Sequence, residues 1–407
     1  SQQDADVIVF NTCTVREKPD QRFAAHLAQA AALKRADPER VIAVGGCYAE
    51  AQRERIFELY PYVDVAFGPG SIPHLGDWIG AGGDGVARGR FGLEERSFAA
   101  QLPTHRQRPV QAWVQVSMGC NSVCSYCIVP AVRGREVSRR PGEIVAEVTQ
   151  LASDGVREVT LLGQNVNSWG RDLLPDVRTD FGELLRAVDA VRGIDRIRFT
   201  SPHPKDFRDP VIAAMSECEA VCEHTHLPLQ SGSTRVLKAM RRTYGRERYL
   251  ALVDKLRVAI PDLALTTDVI VGFPGETDVD FRETLEVVEE VRYDGAFTFV
   301  FSPRRGTEAA SMPDQIPEET KRERIERLVE LVQRIAAERN VERIGRFEEV
   351  LVEGASRTDS SLLRGRTRRN TTVNFSGSAR PGELVRVEVE GATSTTLRGT
   401  QAALVAA

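Results

Sequence analysis

The chain has 407 residues, and its 54 Lys and Arg against 58 Asp and Glu give a net charge of −4. This length allows two or three domains, and the negative charge excludes a globally basic nucleic-acid coat, so any RNA contact must come from a local patch. The hydrophobic fraction of 42% is typical of a folded chain. No apolar run reaches the roughly 18 residues of a membrane span, and no signal-peptide pattern is visible. Because the chain starts without Met just before a predicted strand, we expect an N-terminal piece to be missing.

Residues 1–75 alternate short apolar runs with helical patterns. Strands are predicted at 7–10 and 41–44 and helices at 16–33 and 49–59. Strand and helix in alternation indicate a parallel α/β sheet. The stretch from Gly80 to Gly92 is rich in glycine and charge and is predicted to be a linker.

The middle of the chain repeats this alternation in six longer units. Predicted strands lie at 112–116, 158–162, 196–200, 221–229, 264–271 and 296–301, with helices between them at 141–153, 181–191, 206–218, 246–258 and 281–291. Six such units in a row predict a partial (β/α)6 barrel, with a doubly wound sheet as the alternative.

The last part of the chain changes pattern again. A long amphipathic helix is predicted at 317–340, and glycine-bounded strands at 347–354 and 383–389 indicate a small β-barrel of the oligonucleotide-binding type. The predicted fold class is therefore α/β with a C-terminal β-barrel. We predict three domains, at residues 1–80, 106–338 and 341–407.

Three of the seven cysteines form one cluster, Cys120, Cys124 and Cys127, with the spacing C-x3-C-x2-C. They follow the first predicted barrel strand, and therefore lie at the carboxyl end of the strands, which is the catalytic face of such a barrel. A 4Fe-4S cluster normally takes four cysteines, so three thiolates leave one iron open for another ligand. Structural zinc is the alternative, but it needs four ligands and no fourth lies near this run.

The triplet on a six-unit (β/α) chain resembles the radical S-adenosylmethionine superfamily. In that superfamily the open iron chelates the amino and carboxylate groups of S-adenosylmethionine, and an electron from the cluster releases a 5′-deoxyadenosyl radical. The three-part organisation resembles the methylthiotransferases, whose C-terminal domain is a TRAM-like RNA-binding barrel. In this family three N-terminal cysteines hold a second 4Fe-4S cluster. Cys13 and Cys47 match two of them, each following a predicted strand, and the third is expected upstream of residue 1.

Three runs resemble the methylthiotransferases that act on bacterial tRNA: 161–168, 196–204 and 365–370. The resemblance implies a cytoplasmic transferase that adds a methylthio group to C2 of N6-dimethylallyladenosine at position 37, beside the anticodon. It uses two 4Fe-4S clusters and S-adenosylmethionine, with the tRNA anticodon loop and an electron-donor protein as partners; a monomer without membrane contact is expected. A sister enzyme acting on threonylcarbamoyl-adenosine or a ribosomal protein, and an RNA-binding protein with a structural metal, stay open as alternatives.

Residues that follow other predicted barrel strands are candidates for cofactor contact, because these loops share the catalytic face. They are Gln164, Asn165, Gln230, Ser231, Gly272 and Glu276. By contrast, Cys218 and Cys222 are interpreted as core cysteines rather than as part of a metal set with His224 and His226. Because its strand runs into a ligand-facing loop, His226 is expected near the site without binding metal.

Arginines form two local basic clusters. The first is Arg133, Arg135, Arg139 and Arg140, and the second is Arg364, Arg366, Arg368 and Arg369. Both are predicted to contact RNA, the second in a turn of the small barrel. Because only 6% of residues are aromatic, a shaped RNA loop with one exposed base fits better than a long stacking groove.

Overall fold

The computed structural model describes residues 3–12, 17–79, 88–92, 98, 110–173, 177 and 179–402. Cys13 lies outside these residues. The chain forms two compact units: the first contains Ser1–Thr104, Met118–Val123 and Cys127–Glu136, and the second contains His105–Ser117, Cys124–Tyr126 and Val137–Ala407. The cysteine triplet therefore divides between them.

The first unit contains a parallel four-stranded sheet in the order β1-β2-β3-β4. Its strands are β1 (Val7–Thr12), β2 (Val41–Gly46), β3 (Val65–Phe67) and β4 (Arg88–Arg90). Its helices are α1 (Glu17–Ala36), α2 (Cys47–Gln52), α3 (Arg55–Leu59), α4 (Leu75–Ile79) and α5 (Val129–Arg133). All six residues of β2 are buried, as expected for a parallel strand covered on both faces.

Two expectations for this unit need correction. The helix predicted at 49–59 is interrupted at Arg53, whose φ of 50° ends α2. The predicted linker ends in β4, which extends the sheet at β3; residues 80–87 lie outside the described ranges.

The second unit contains six parallel strands in two three-stranded sheets, β5-β8-β9 and β10-β11-β12. A parallel bridge between Ile197 and Val221 links the two sheets. Spatial order follows chain order, whereas a doubly wound sheet reverses it at a switch point. The partial barrel is thus confirmed. The strands of this region are β5 (Gln111–Gln115), β6 (Ser117–Met118), β7 (Val137–Ser138), β8 (Glu158–Leu162), β9 (Arg196–Phe199), β10 (His224–His226), β11 (Ala264–Val271) and β12 (Gly295–Val300).

Helices cover the partial barrel and bury a single large apolar core that includes Ile144, Leu185 and Val253. They are α6 (Pro141–Ser153), α7 (Phe181–Asp189), α8 (Asp209–Glu217), α9 (Thr234–Ala239), α10 (Arg246–Ala259), α11 (Asp278–Val291) and α12 (Glu318–Val341). None of the helices in the described ranges has the length and apolar character that a membrane span requires. The strand predicted at 221–229 shrinks to β10, because Pro228 has no N–H for a ladder and Gln230 has a φ of 70°.

The C-terminal strands close into a barrel in the order β13-β14-β15-β17-β16. They are β13 (Phe347–Ala355), β14 (Leu363–Thr367), β15 (Thr372–Ser376), β16 (Leu384–Ala392) and β17 (Thr396–Gln401). Val350, Phe375 and Val387 are among the side chains that fill its interior. The predicted small β-barrel is confirmed.

Candidate active site

The cysteine triplet lies in a loop, residues 119–128, that has no helix or strand. Gly119 starts the loop with a φ of 82°, and a Cβ there would stand 2.2 Å from the carbonyl oxygen of Arg135, so only glycine fits. In the first unit the Cys120 N–H donates to the Gly134 carbonyl at 3.1 Å. In the second unit the Ser125 N–H and Oγ donate to the carbonyls of Met240 and Ala239. Both ends of the loop are therefore anchored through backbone groups.

All three cysteines of the triplet are half-buried thiols outside any disulfide. Within the described ranges no three Cys, His, Asp or Glu side chains are grouped so as to hold a metal ion. The fit of a cluster is therefore judged from the chemistry of the donors. Three thiols within eight residues of this loop can bind three irons and leave the fourth for a small-molecule ligand.

Arg242 contacts the triplet directly, and this contact was not predicted from the sequence. Its Nη1 donates to the Cys124 Sγ at 3.4 Å, while Nε and Nη2 donate to the Tyr244 hydroxyl at 3.0 and 2.8 Å. Burial lowers the pKa of this guanidinium, but the neighbouring Tyr244, Tyr126 and Cys124 raise it by more. The pKa of Arg242 therefore lies above its ordinary value. A permanent positive charge therefore faces a predicted cluster ligand.

Buried polar atoms without a partner lie at the ends of the first two barrel strands. The Asn165 Nδ2 donates to Asp206 at 2.8 Å, but its Oδ1 finds no donor among the described residues. The Ser117 Oγ is likewise buried and unpartnered within them, and a Cβ on Gly163 would stand 2.4 Å from it. Such atoms are costly unless a ligand or water satisfies them. Unpartnered oxygens of this kind suit a small polar ligand such as S-adenosylmethionine. Gln164, next to Asn165, is half-buried.

Two predicted cofactor residues in the loop after β10, Gln230 and Ser231, form hydrogen bonds with other groups of the protein. Gln230 is buried at a φ of 70°, and its backbone bonds to Asp268 and Ile270. The Ser231 Oγ accepts from the Ser233 N–H at 3.2 Å. These contacts shape the loop, and a cofactor contact from either residue stays a prediction.

The loop after β11 is also closed on itself. The Glu276 Oε1 accepts from the Gly272 N–H at 3.0 Å and from the Arg324 Nη1 at 2.7 Å. Burial is the largest influence on the Glu276 carboxyl and raises its pKa, although the Gly272 N–H and Arg324 oppose it. Because this carboxylate is occupied by Arg324 of α12, its predicted cofactor contact gains no support from the geometry.

Cys47 begins α2, where β2 ends. Thr12 and Gly46 are register partners at the ends of β1 and β2, so the residues that follow them start from the same edge of the sheet. The Arg133 Nε donates to the Cys47 Sγ at 3.2 Å. Arg133 thus carries a positive charge to this thiol from the helix that follows the triplet loop.

Most of the arginines that were predicted to contact RNA have internal partners. Arg368 donates to both oxygens of Glu223, at 2.7 and 2.8 Å, and Arg369, 7% exposed, bonds to Asp262 and Asp294. Arg364 and Arg366 are half-buried and pair with Glu353. In the first cluster Arg139 is 4% exposed and pairs with Glu147. These ion pairs give Arg139, Arg368 and Arg369 structural roles that the charge pattern did not predict.

Cys218 and Cys222 lie in the core, as interpreted, whereas His224 and His226 are half-buried on β10. Cys218 and Cys222 are buried, and burial raises the pKa of Cys218 to about 11. The His226 Nδ1 contacts the Thr266 hydroxyl at 3.1 Å, which in turn contacts the His224 Nε2 at 3.3 Å. These side chains satisfy one another through hydrogen bonds.

Three known families match successive parts of the chain. They are the uncharacterized protein family UPF0004 over residues 1–68, the Radical SAM superfamily over residues 114–288 and the TRAM domain over residues 342–401.

Curated relatives match nearly the whole chain. The tRNA-2-methylthio-N(6)-dimethylallyladenosine synthase of Mycolicibacterium smegmatis is 49% identical over 96% of this chain and 78% of that protein. The proteins of the same name from Thermobifida fusca and Thermoanaerobacter sp. are 50% and 45% identical, over 94% and 98% of this chain and 79% and 85% of theirs.

Solved structures match the fold at low identity. The radical S-adenosylmethionine methyltransferase TsrM from Kitasatospora setae, with cobalamin and a 4Fe-4S cluster bound, has a TM-score of 0.55 at 16% identity and covers 75% of this chain and 65% of that one. The cobalamin-dependent S-adenosylmethionine radical enzyme OxsB has a TM-score of 0.50 at 12% identity, over 81% of this chain and 48% of that one. Both likenesses concern the fold alone.

Proposed function

Because this chain belongs to the family of tRNA-2-methylthio-N(6)-dimethylallyladenosine synthases, we propose that it adds a methylthio group to C2 of N6-dimethylallyladenosine in tRNA. The observation that carries this proposal is 49% identity across 78% of such a synthase, in a chain that keeps the cysteine triplet on its partial barrel. The C2–H bond is not activated towards polar nucleophiles, so a radical route suits the reaction.

The cofactors of this superfamily are a 4Fe-4S cluster and S-adenosylmethionine, which together supply a 5′-deoxyadenosyl radical when bound. Cys120, Cys124 and Cys127 would hold the cluster. The unpartnered oxygens of Asn165 and Ser117 would bind polar groups of S-adenosylmethionine or the substrate. The protein contributes binding, orientation and electrostatics, while the cofactor carries the difficult chemistry.

A second 4Fe-4S cluster would be bound in the first unit by Cys13, Cys47 and a further ligand. Support for this comes from the register of β1 and β2, since Thr12 and Gly46 are paired immediately before the two cysteines. Arg133 would help to hold the Cys47 thiolate. This cluster would carry the sulfur that is transferred.

The proposed partners follow from this reaction. The substrate is a tRNA, approached at its anticodon loop, and the C-terminal TRAM domain would bind it through local positive charge. A one-electron donor protein would reduce the cluster. We further propose a cytoplasmic monomer without membrane contact.

Nucleoside analysis of tRNA tests the proposed substrate. A strain that lacks the chain should accumulate N6-dimethylallyladenosine without the methylthio group, and expression of the wild-type chain should restore the modification. The Cys124→Ala variant serves as the negative control and should not restore it. Loss of the methylthio group from threonylcarbamoyl-adenosine instead would assign the chain to the sister reaction.

A further inference from the structure

The guanidinium of Arg242 is held in place by Tyr244, two residues further along the same loop. Two of its nitrogens donate to the Tyr244 hydroxyl, which itself donates to the Pro228 carbonyl at 2.7 Å. The guanidinium carbon also lies 5.0 Å from the centre of the Tyr244 ring. The remaining nitrogen, Nη1, is thereby directed at the Cys124 Sγ, 3.4 Å away.

The charge of Arg242 has no carboxylate counter-ion within the described ranges. Its contacts there are the Tyr244 hydroxyl and the Cys124 sulfur. Its chain neighbour Arg241, by comparison, pairs with Glu308 at 2.7 Å. A half-buried positive charge is costly unless a negative group faces it. Three thiolates around an oxidised 4Fe-4S core leave about one net negative charge, which would complete the pair.

We propose that Arg242 is a positioning residue that balances the charge of the radical cluster through Cys124 and raises the reduction potential of that cluster. The inference rests on the proposed role of the triplet. A cation that donates to a ligand sulfur stabilises the more negative, reduced state. The step concerned is the transfer of one electron from a one-electron donor, which takes the cluster from charge 2+ to 1+. No bond forms or breaks, and the guanidinium keeps its protons.

Redox titration tests the proposal on the full chain, reconstituted anaerobically with iron and sulfide. The cluster is titrated with dithionite and followed by the electron paramagnetic resonance signal that changes when S-adenosylmethionine is added, which separates it from a second cluster. Arg242→Gln should shift the midpoint to a more negative potential, with Arg242→Lys close to wild type. Tyr244→Phe, which keeps the charge but frees the guanidinium, should give an intermediate shift. Arg241→Gln is the matched control and should leave the potential unchanged.

The outcomes separate this inference from the proposed function. An unchanged potential in Arg242→Gln, with the cluster present by iron analysis, overturns the inference alone. If Arg242→Gln holds no cluster, Tyr244→Phe decides, and an unshifted potential there overturns the inference. A wild-type chain that binds no cluster at the triplet overturns both, whereas tRNA lacking the proposed modification leaves a measured shift intact.

Discussion

The three thiols of the triplet differ in their surroundings. The Cys120 Sγ accepts from the Ser122 N–H at 3.4 Å, and the Cys124 Sγ accepts from Arg242. Backbone and guanidinium donors stabilise thiolates and the sulfur ligands of a cluster. The Cys120 and Cys124 sulfurs therefore already have donors that suit a cluster ligand.

Replacement of any one triplet cysteine with alanine should abolish cleavage of S-adenosylmethionine, because two thiolates do not hold a cluster with one open iron. The measurement is 5′-deoxyadenosine formation by the reduced, reconstituted chain. Cys218→Ala, at a buried cysteine of the core, is the control and should retain activity. A triplet variant that still forms 5′-deoxyadenosine at a rate near wild type contradicts the assignment.

His203 should make the stability of the chain depend on pH. Burial, and then the neighbouring Arg242 and Lys205, lower its pKa from 6.5 to about 2, and its Nδ1 accepts from the Lys205 N–H. Between pH 6.5 and 2 the unfolded chain binds a proton at His203 that the folded chain does not bind. The contribution of the neutral, buried His203 to the free energy of unfolding is therefore lost as pH falls towards 2. The slope is at most about 1.4 kcal/mol per pH unit.

The His203→Asn variant keeps an acceptor without the titration and should flatten this slope. Chemical unfolding at pH 8, 7, 6 and 5 measures it, with the exposed His26→Gln as control. An equal slope in His203→Asn and wild type would show that other groups dominate this pH range.

Single residues were predictable from sequence only where their role depends on local position. The triplet was predicted from its spacing and Asn165 from its place after a strand, and their cofactor roles stay predictions. Arg242 was not, because the fold alone brings it to Cys124, 118 positions away in the chain. The ion pairs of the basic clusters were not predicted for the same reason, because a sequence shows charge but not the carboxylates that pair with it.

At the scale of elements, the loop after β11 depends on glycine. Gly272 and Gly275 both have a φ of 74°, but only Gly272 has a close neighbour, since a Cβ there would stand 2.4 Å from the Lys321 Cγ. Alanine in this conformation costs about 1–2 kcal/mol. Gly275→Ala should lose that amount, and Gly272→Ala should lose more because it also displaces Lys321.

Denaturant unfolding of the apo chain measures both variants. Equal losses would mean that the Lys321 side chain moves aside without cost. Gly275→Ala is the matched control, because it shares the loop and the backbone angle but has no atom within 4 Å of the added methyl.

The bounds of the longer strands could be predicted from their apolar residues. β8 and β11 have the predicted bounds, because both are short runs rich in Val, Leu, Ile and Thr that are bounded by turn residues. α9 was not predicted. Its six residues are too few for a helical pattern to emerge, and they are helical because Val236 and Leu237 pack in buried positions.

At the scale of the whole molecule, arginines of β9 attach the C-terminal barrel to the partial barrel within the second unit. The Arg196 Nη1 donates to the Arg366 carbonyl at 2.6 Å, and its Nη2 donates to Glu349 at 3.0 Å. Arg198 donates to the carbonyls of Thr367 and Arg368. The family run at 196–204 therefore begins with residues that position the barrel, which its resemblance to tRNA-modifying enzymes did not reveal.

Arg369 of the barrel completes this attachment. Its replacement should lower the stability of the chain without changing the salt dependence of tRNA binding. Arg369→Gln removes one partner of the Asp294 carboxylate, which is 11% exposed and keeps Arg339 and the Leu265 N–H. Loss of a charged hydrogen bond of this kind costs about 1–3 kcal/mol, so the unfolding midpoint should fall. Arg366→Gln, at a half-buried pair within the barrel, should cost less than about 1 kcal/mol. Denaturant unfolding of the full chain gives both values.

The salt dependence of tRNA affinity then shows whether Arg366 or Arg369 contacts a tRNA phosphate. Each phosphate contact that is lost reduces the slope of log affinity against log salt by about one unit. Since Arg369 is occupied by Asp262 and Asp294, Arg369→Gln should leave the slope unchanged under conditions in which the variant is folded. Arg366 lies in β14 rather than in the predicted turn, and Arg366→Gln should reduce the slope by about one unit if this part of the barrel contacts the tRNA backbone as proposed. A reduced slope in Arg369→Gln would show that Arg369 exchanges its carboxylates for phosphate when tRNA binds, and an unchanged slope in both would place the RNA-binding surface elsewhere on the chain.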